Sequence, residues 1–201
     1  MPPRGSRIDW RVGSALLLCI LAGAARGDPD TALLTQLRQG GLVLYMRHAS
    51  TDFSQNDAAM RSFEDCAHQR NLTDKGREEA RAVGSHLRRL NIPVAEVLAS
   101  PFCRTMETAR LAFGRAKPMQ EARGGPARPD DPARYDPLRR LMATRPSAGV
   151  NTVIVSHGNP FHAVAGPPYL AEGEIAVVRP EGGERFSVIG RIRPEDWQHE
   201  P

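Results

Sequence analysis

The chain has 201 residues, 40% hydrophobic and 25% charged, enough for one domain with a substantial core and too few for two comfortable ones. That balance excludes disorder throughout, collagen and coiled coil. The net charge is +4, but Arg4, Arg7, Arg11 and Arg26 against Asp9 place +3 of it in residues 1–27, so the remainder is close to neutral and gives little support for a nucleic-acid partner.

The N-terminal arginines precede an apolar stretch over residues 12–25, which gives way to Gly27-Asp28-Pro29. A basic start, an apolar core of about 7–15 residues and small residues at its end describe a secretory signal peptide. Residues 1–27 are therefore expected to be a cleaved signal, and residues 28–201 a periplasmic or secreted domain. The rival reading, an uncleaved anchor, calls for about 20 apolar residues. Membrane contact is expected only through the signal before cleavage. Beyond it, Cys66 and Cys103 are an even pair, which permits a disulfide in an exported protein; two buried free thiols are the other reading.

After the signal, Thr31–Gln39 reads as a short helix stopped by Gly40-Gly41. Residues 42–47 follow as an apolar run of the kind found in a central parallel strand, ending on Arg47-His48. The polar stretch over 51–70 reads as a long loop or short helical turns. Thr73 can cap a long helix in which Ala80, Val83, Leu87 and Leu90 fall at helical spacing, with Asn91-Ile92-Pro93 ending it. Val94–Ala99 is a second strand, and Pro101 marks the turn into a helix through Phe113. Residues 123–132 are a loop, and Asp131 or Asp136 caps a helix reaching Thr144. Asn151–Ser156 is a third buried strand, ending on His157-Gly158, with a short helix starting near Asn159-Pro160. Residues 175–179 and 186–192 read as a hairpin. Alternating strands and helices predict an α/β fold, a mostly parallel central sheet with helices on both faces.

In such a sheet the ends of parallel strands face one edge, where open α/β folds bind ligands. Arg47 and His48 close the first strand, Arg104 follows the second, and His157 closes the third. Two guanidiniums suit a phosphoryl dianion because their forked donors match its oxygens. A histidine can attack phosphorus and split one hard displacement into two easier ones.

These residues stand in recognisable motifs: Arg47-His48-Ala49; Ser100 through Arg104 to Thr108-Ala109; Ser156-His157-Gly158; and Leu72-Thr73-Asp74-Lys75-Gly76 before the long helix. In this order they resemble the histidine phosphatase superfamily, as a small exported bacterial member over about residues 41–191. The resemblance implies the phosphoglycerate-mutase-like three-layer sandwich. It also implies a nucleophilic His48 that becomes phosphohistidine, with Arg47, Arg104 and His157 binding the phosphoryl group. For the acid that protonates the leaving oxygen, Glu121 is the best match, with Glu172 and Glu174 as competitors and Asp52 as an outsider. Ser54 and Asn159 complete the expected substrate contacts.

One departure is Ala49, where the family usually has glycine. The short stretch between Ala109 and Asn151 leaves little room for the insertions of true mutases and favours a phosphatase of small phosphomonoesters. No cofactor is implied, and no His-x-His or His-Glu-x-x-His run suggests a metal. The alternative from another class is a catalytically weak or inactive phosphate-ligand-binding protein, whose mark would be a lost nucleophile or arginine; neither is lost.

Overall fold

The computed structural model of the chain describes Met1, residues 31–123 and residues 131–198. The expected signal segment and most of the expected 123–132 loop lie outside the described residues. Among the described residues no helix is long and apolar enough to cross a membrane.

Six strands form one sheet in the order β3-β2-β4-β1-β5-β6. They are β1 (Val43–Arg47), β2 (Val94–Ala99), β3 (Lys117–Pro118), β4 (Asn151–Ser156), β5 (Ile175–Gly182) and β6 (Arg185–Ile192). The pairs β1/β4, β2/β4 and β2/β3 are parallel, and the hairpin β5/β6 adds itself antiparallel to β1. β5 runs through Gly182, so the hairpin is longer than its apolar residues indicate. The mostly parallel α/β reading of the sequence holds.

The strand period of two sends alternate side chains to opposite faces. Leu44 and Met46 of β1 pack with Leu37, Val83, Leu87 and Met106 from helices α1 (Thr31–Gln39), α2 (Asp74–Arg89) and α3 (Cys103–Phe113). Val43 and Tyr45 pack on the other face with Leu138, Met142 and Phe161 from α4 (Asp136–Ala143) and α5 (Gly158–Ala165). Helices therefore cover both faces, giving three layers.

Local chemistry sets the helix ends. Thr73 caps α2 by accepting from the Gly76 amide at 3.0 Å. Gly76 is required there, because a Cβ would stand 2.1 Å from the Ser50 carbonyl oxygen. The expected cap of α4 is corrected: Asp131 caps the short 3₁₀ turn Pro132–Tyr135, and Asp136 is the first residue of α4. The 51–70 stretch is a loop carrying a 3₁₀ turn at Cys66–His68 and closed at its base by a bridge between Thr51 and Leu72.

Candidate active site

Register brings three strand ends together. Arg47 of β1 pairs with Ser156 of β4, and Ala99 of β2 pairs with Val155. The residues that follow, His48, Ser100 and His157, consequently emerge side by side at one edge. The chain past β1 stays tied to the sheet: the His48 amide donates to Ser156 O at 3.0 Å, and the Gly173 amide donates to His48 O at 2.9 Å.

His48 is 1% exposed and lines a pocket of about 250 Å³. Its Nδ1 lies 2.9 Å from the Ala49 carbonyl oxygen, an acceptor, so Nδ1 carries the proton and Nε2 keeps its lone pair. Burial lowers its pKa to about 3; the Ala49 carbonyl opposes the shift, while Arg104, Arg47 and Arg70 add to it. His48 is thus neutral across the ordinary pH range, as an attacking imidazole must be. His157, 5.5 Å from it ring to ring, is held well below its usual range by burial and then by His48 and the same arginines. Its Nε2 lies 2.8 Å from Ser100 Oγ, and the Tyr45 hydroxyl donates to its carbonyl at 2.8 Å.

Three guanidiniums surround the pair. Arg47 donates to Leu170 O at 2.7 Å, and Arg104 donates to Asp57 Oδ1 at 3.0 Å while lying over the Phe102 ring. Arg70, over the Phe53 ring, offers its carbonyl oxygen to Arg104. In all three the Nε–H is buried without a partner. Buried donors are nearly always satisfied, so three orphans in one cationic pocket are suited to an oxyanion ligand.

The structure brings Arg47, His48, Arg104, His157 and Asn159 to this pocket. It does not bring Glu121 or Ser54. Ala122 is fully buried, its carbonyl accepting from the Ser156 hydroxyl, and that contact leaves the neighbouring Glu121 exposed on the 3₁₀ turn Gln120–Arg123. Ser54 is exposed and donates to Asp52 at 2.7 Å, which occupies both residues. Glu174 is buried, accepting from the Ala171 amide at 2.7 Å and pairing with Arg191. Glu172 is the expected carboxylate that stands beside His48, 3.8 Å from its Nδ1, accepting from Thr51 Oγ1 at 2.7 Å and from Arg47 at 3.4 Å. It buttresses the Arg47 side of the site.

Arg70, Arg123, Arg134, Tyr135 and Tyr169 also line the pocket and escaped sequence reasoning. Arg70 had the clearest signal, standing two residues before Leu72-Thr73. Ala49 is fully buried beside Leu72 and Ala80, and its amide donates to Thr108 Oγ1 at 3.2 Å. Its methyl therefore fills a small apolar space behind the turn and does not line the pocket. A larger cavity of about 870 Å³ lies beside Cys66, Cys103 and Met106 but contains neither histidine. Cys66 and Cys103 are joined in a disulfide, settling the choice between bridge and free thiols.

Residues 43–125 match the model of the histidine phosphatase superfamily (branch 1). No curated protein matches the chain. Among solved structures, the protein histidine phosphatase SixA complexed with tungstate is 22% identical with a TM-score of 0.55, over 77% of this chain and 98% of that one. The phosphoserine phosphatase of Entamoeba histolytica in complex with 3-phosphoglyceric acid is 12% identical with a TM-score of 0.58, over 78% and 98%. A mycobacterial glucosyl-3-phosphoglycerate phosphatase with inorganic phosphate is 15% identical with a TM-score of 0.55, over 80% and 100%. These likenesses establish a shared fold. Over residues 43–125, and in the order of its motifs along the strands, the chain is similar to the histidine phosphatase superfamily.

Proposed function

We propose that the protein is a metal-independent phosphatase that hydrolyses small phosphomonoesters through a phosphohistidine on His48. The observation that carries this reading is the neutral His48, proton fixed on Nδ1, in a pocket with three unpaired buried guanidinium donors. In the first step His48 Nε2 bonds to phosphorus and the ester P–O bond breaks, the departing oxygen taking up a proton. In the second, water attacks the phosphorus, the P–N bond breaks, and inorganic phosphate leaves with release of a proton. Arg47, Arg70, Arg104 and His157 hold the phosphoryl oxygens and stabilise charge as it spreads over them. The disulfide supports an extracytoplasmic place of work, in keeping with the signal reading of residues 1–27.

The test is phosphate release from 4-nitrophenyl phosphate, with excess chelator, by the wild type and by His48→Ala. Turnover that survives the chelator and falls by about a thousand-fold or more in the variant supports the proposal. Comparable turnover in both proteins overturns the role of His48. Binding of phosphate without turnover of any phosphomonoester makes the protein a phosphate-ligand binder instead.

A further inference from the structure

The pocket carries more positive charge than the transferred group calls for. Five of its lining residues are arginines, and no Asp or Glu lines it among the described residues. Arg47, Arg70 and Arg104 belong to the phosphoryl site through their orphaned Nε donors and their action on both histidines. Arg123 has a different setting. It reaches the pocket from the end of the 3₁₀ turn Gln120–Arg123 and makes no ion pair among the described residues. Its guanidinium lies over the Phe63 ring, 5.2 Å from the centroid.

That ring is itself fixed. Phe63 meets Phe102 edge-on at 5.2 Å, and Phe102 meets His157 edge-on at 5.1 Å. The Phe63 carbonyl accepts from the Gln69 amide at 3.0 Å. Arg123 is therefore positioned by stacking, on a strip of two aromatic rings that separates it from the histidine pair. Stacking holds a guanidinium's plane while leaving its edge donors available to an anion, which lowers the ordering cost of binding.

We propose that Arg123 is a second anion subsite, so that the substrate is a phosphomonoester bearing a further carboxylate or phosphate a few atoms from the ester. The phosphoryl group enters the pocket of Arg47, Arg70 and Arg104, and the second anion meets Arg123 at the Phe63 end. The inference rests on the phosphatase reading for the word substrate, but the subsite itself is a statement about binding.

The experiment uses ligands that cannot be hydrolysed, titrated calorimetrically into the wild-type protein: methylphosphonate, phosphonoacetate and methylenebisphosphonate. A second anion is expected to tighten binding by about ten-fold over methylphosphonate. Preference for phosphonoacetate identifies a carboxylate, and preference for methylenebisphosphonate a second phosphate. In Arg123→Gln the advantage should collapse toward unity, and in Arg123→Lys part of it should return, since the charge stays but the fork is lost. Equal dissociation constants for all three ligands in the wild type overturn the inference, whatever the variants do. So does an advantage that survives in Arg123→Gln. A preserved advantage with no ester turnover would defeat only the phosphatase reading, and turnover without any advantage would defeat only this one.

Discussion

The two walls of the pocket are held by different means. The wall made by Arg47, His48 and His157 continues the sheet, with backbone hydrogen bonds running from the β1/β4 ladder past Arg47 to the His48 amide. The wall made by Arg70 belongs to the 51–70 loop, which is closed by a bridge at its base. Side chains and one covalent bond do the work there: Asp57 accepts from the Arg70 amide at 2.9 Å, and Gln69 accepts from the Cys103 amide at 2.9 Å. The Cys66–Cys103 disulfide then ties the loop to the start of α3, one residue from Arg104. The ladder fixes His48, and the staple fixes the charges that face it.

Removing a loop cation should break the second wall without touching the first. For Arg70→Ala we expect kcat/KM to fall by about 100-fold, the size typical of one oxyanion donor. Trapping the enzyme with an activated phosphate donor should still label His48. A fall of less than two-fold would take Arg70 out of the phosphoryl site. Cutting the staple comes next. In Cys66→Ser with Cys103→Ser, stability should drop by about 3–4 kcal/mol on the loop-entropy account. Activity should drop as well, with KM for phosphate esters rising more than kcat falls. Unchanged melting and kinetics would make the disulfide ornamental.

The last prediction concerns pH and reads the first wall alone. His48 is held neutral with a pKa of about 3, and His157 is depressed in the same direction, whereas an unfolded histidine titrates near 6.5. Below about 6.5 the unfolded chain gains protons that the folded one refuses, so stability conferred by these groups is complete above that pH and is lost as pH falls toward 3. The loss should approach about 1.4 kcal/mol per pH unit for each histidine. Comparing unfolding of the wild type and His48→Gln between pH 7 and 4 would isolate the share of His48. Equal slopes would mean that His48 binds a proton in the folded state. Its imidazole resonances should likewise stay those of the neutral ring down to about pH 5.

The same division explains what could be read from the residues. Leu44, Met46 and the alternation through β1 are local signals, and so is the Thr73 cap; the elements that carry Arg47, His48 and His157 were accordingly legible. Arg70 and Arg123 belong to segments whose place depends on partners 34 residues away, or on a stack such as Arg123–Phe63–Phe102, which no local period announces. Glu121, an expected site residue, stands outside the pocket's lining for a related reason. Its spacing from the motifs was right, but the burial of Ala122 under Ser156 decides which way the turn faces. The disulfide stayed an even choice in the sequence because two cysteines 37 residues apart become neighbours only through the packing of the loop on α3.

Ala49 has one further consequence. The residue after His48 is held to glycine by habit of description, whereas here the constraint is the room left between Leu72 and Ala80, with Leu111 close by. A methyl fits that room, and the backbone N–H still finds Thr108. Kinship at this turn is thus a question of available volume behind the chain, and a search pattern that insists on Arg-His-Gly would pass over sequences that keep this turn with alanine in it.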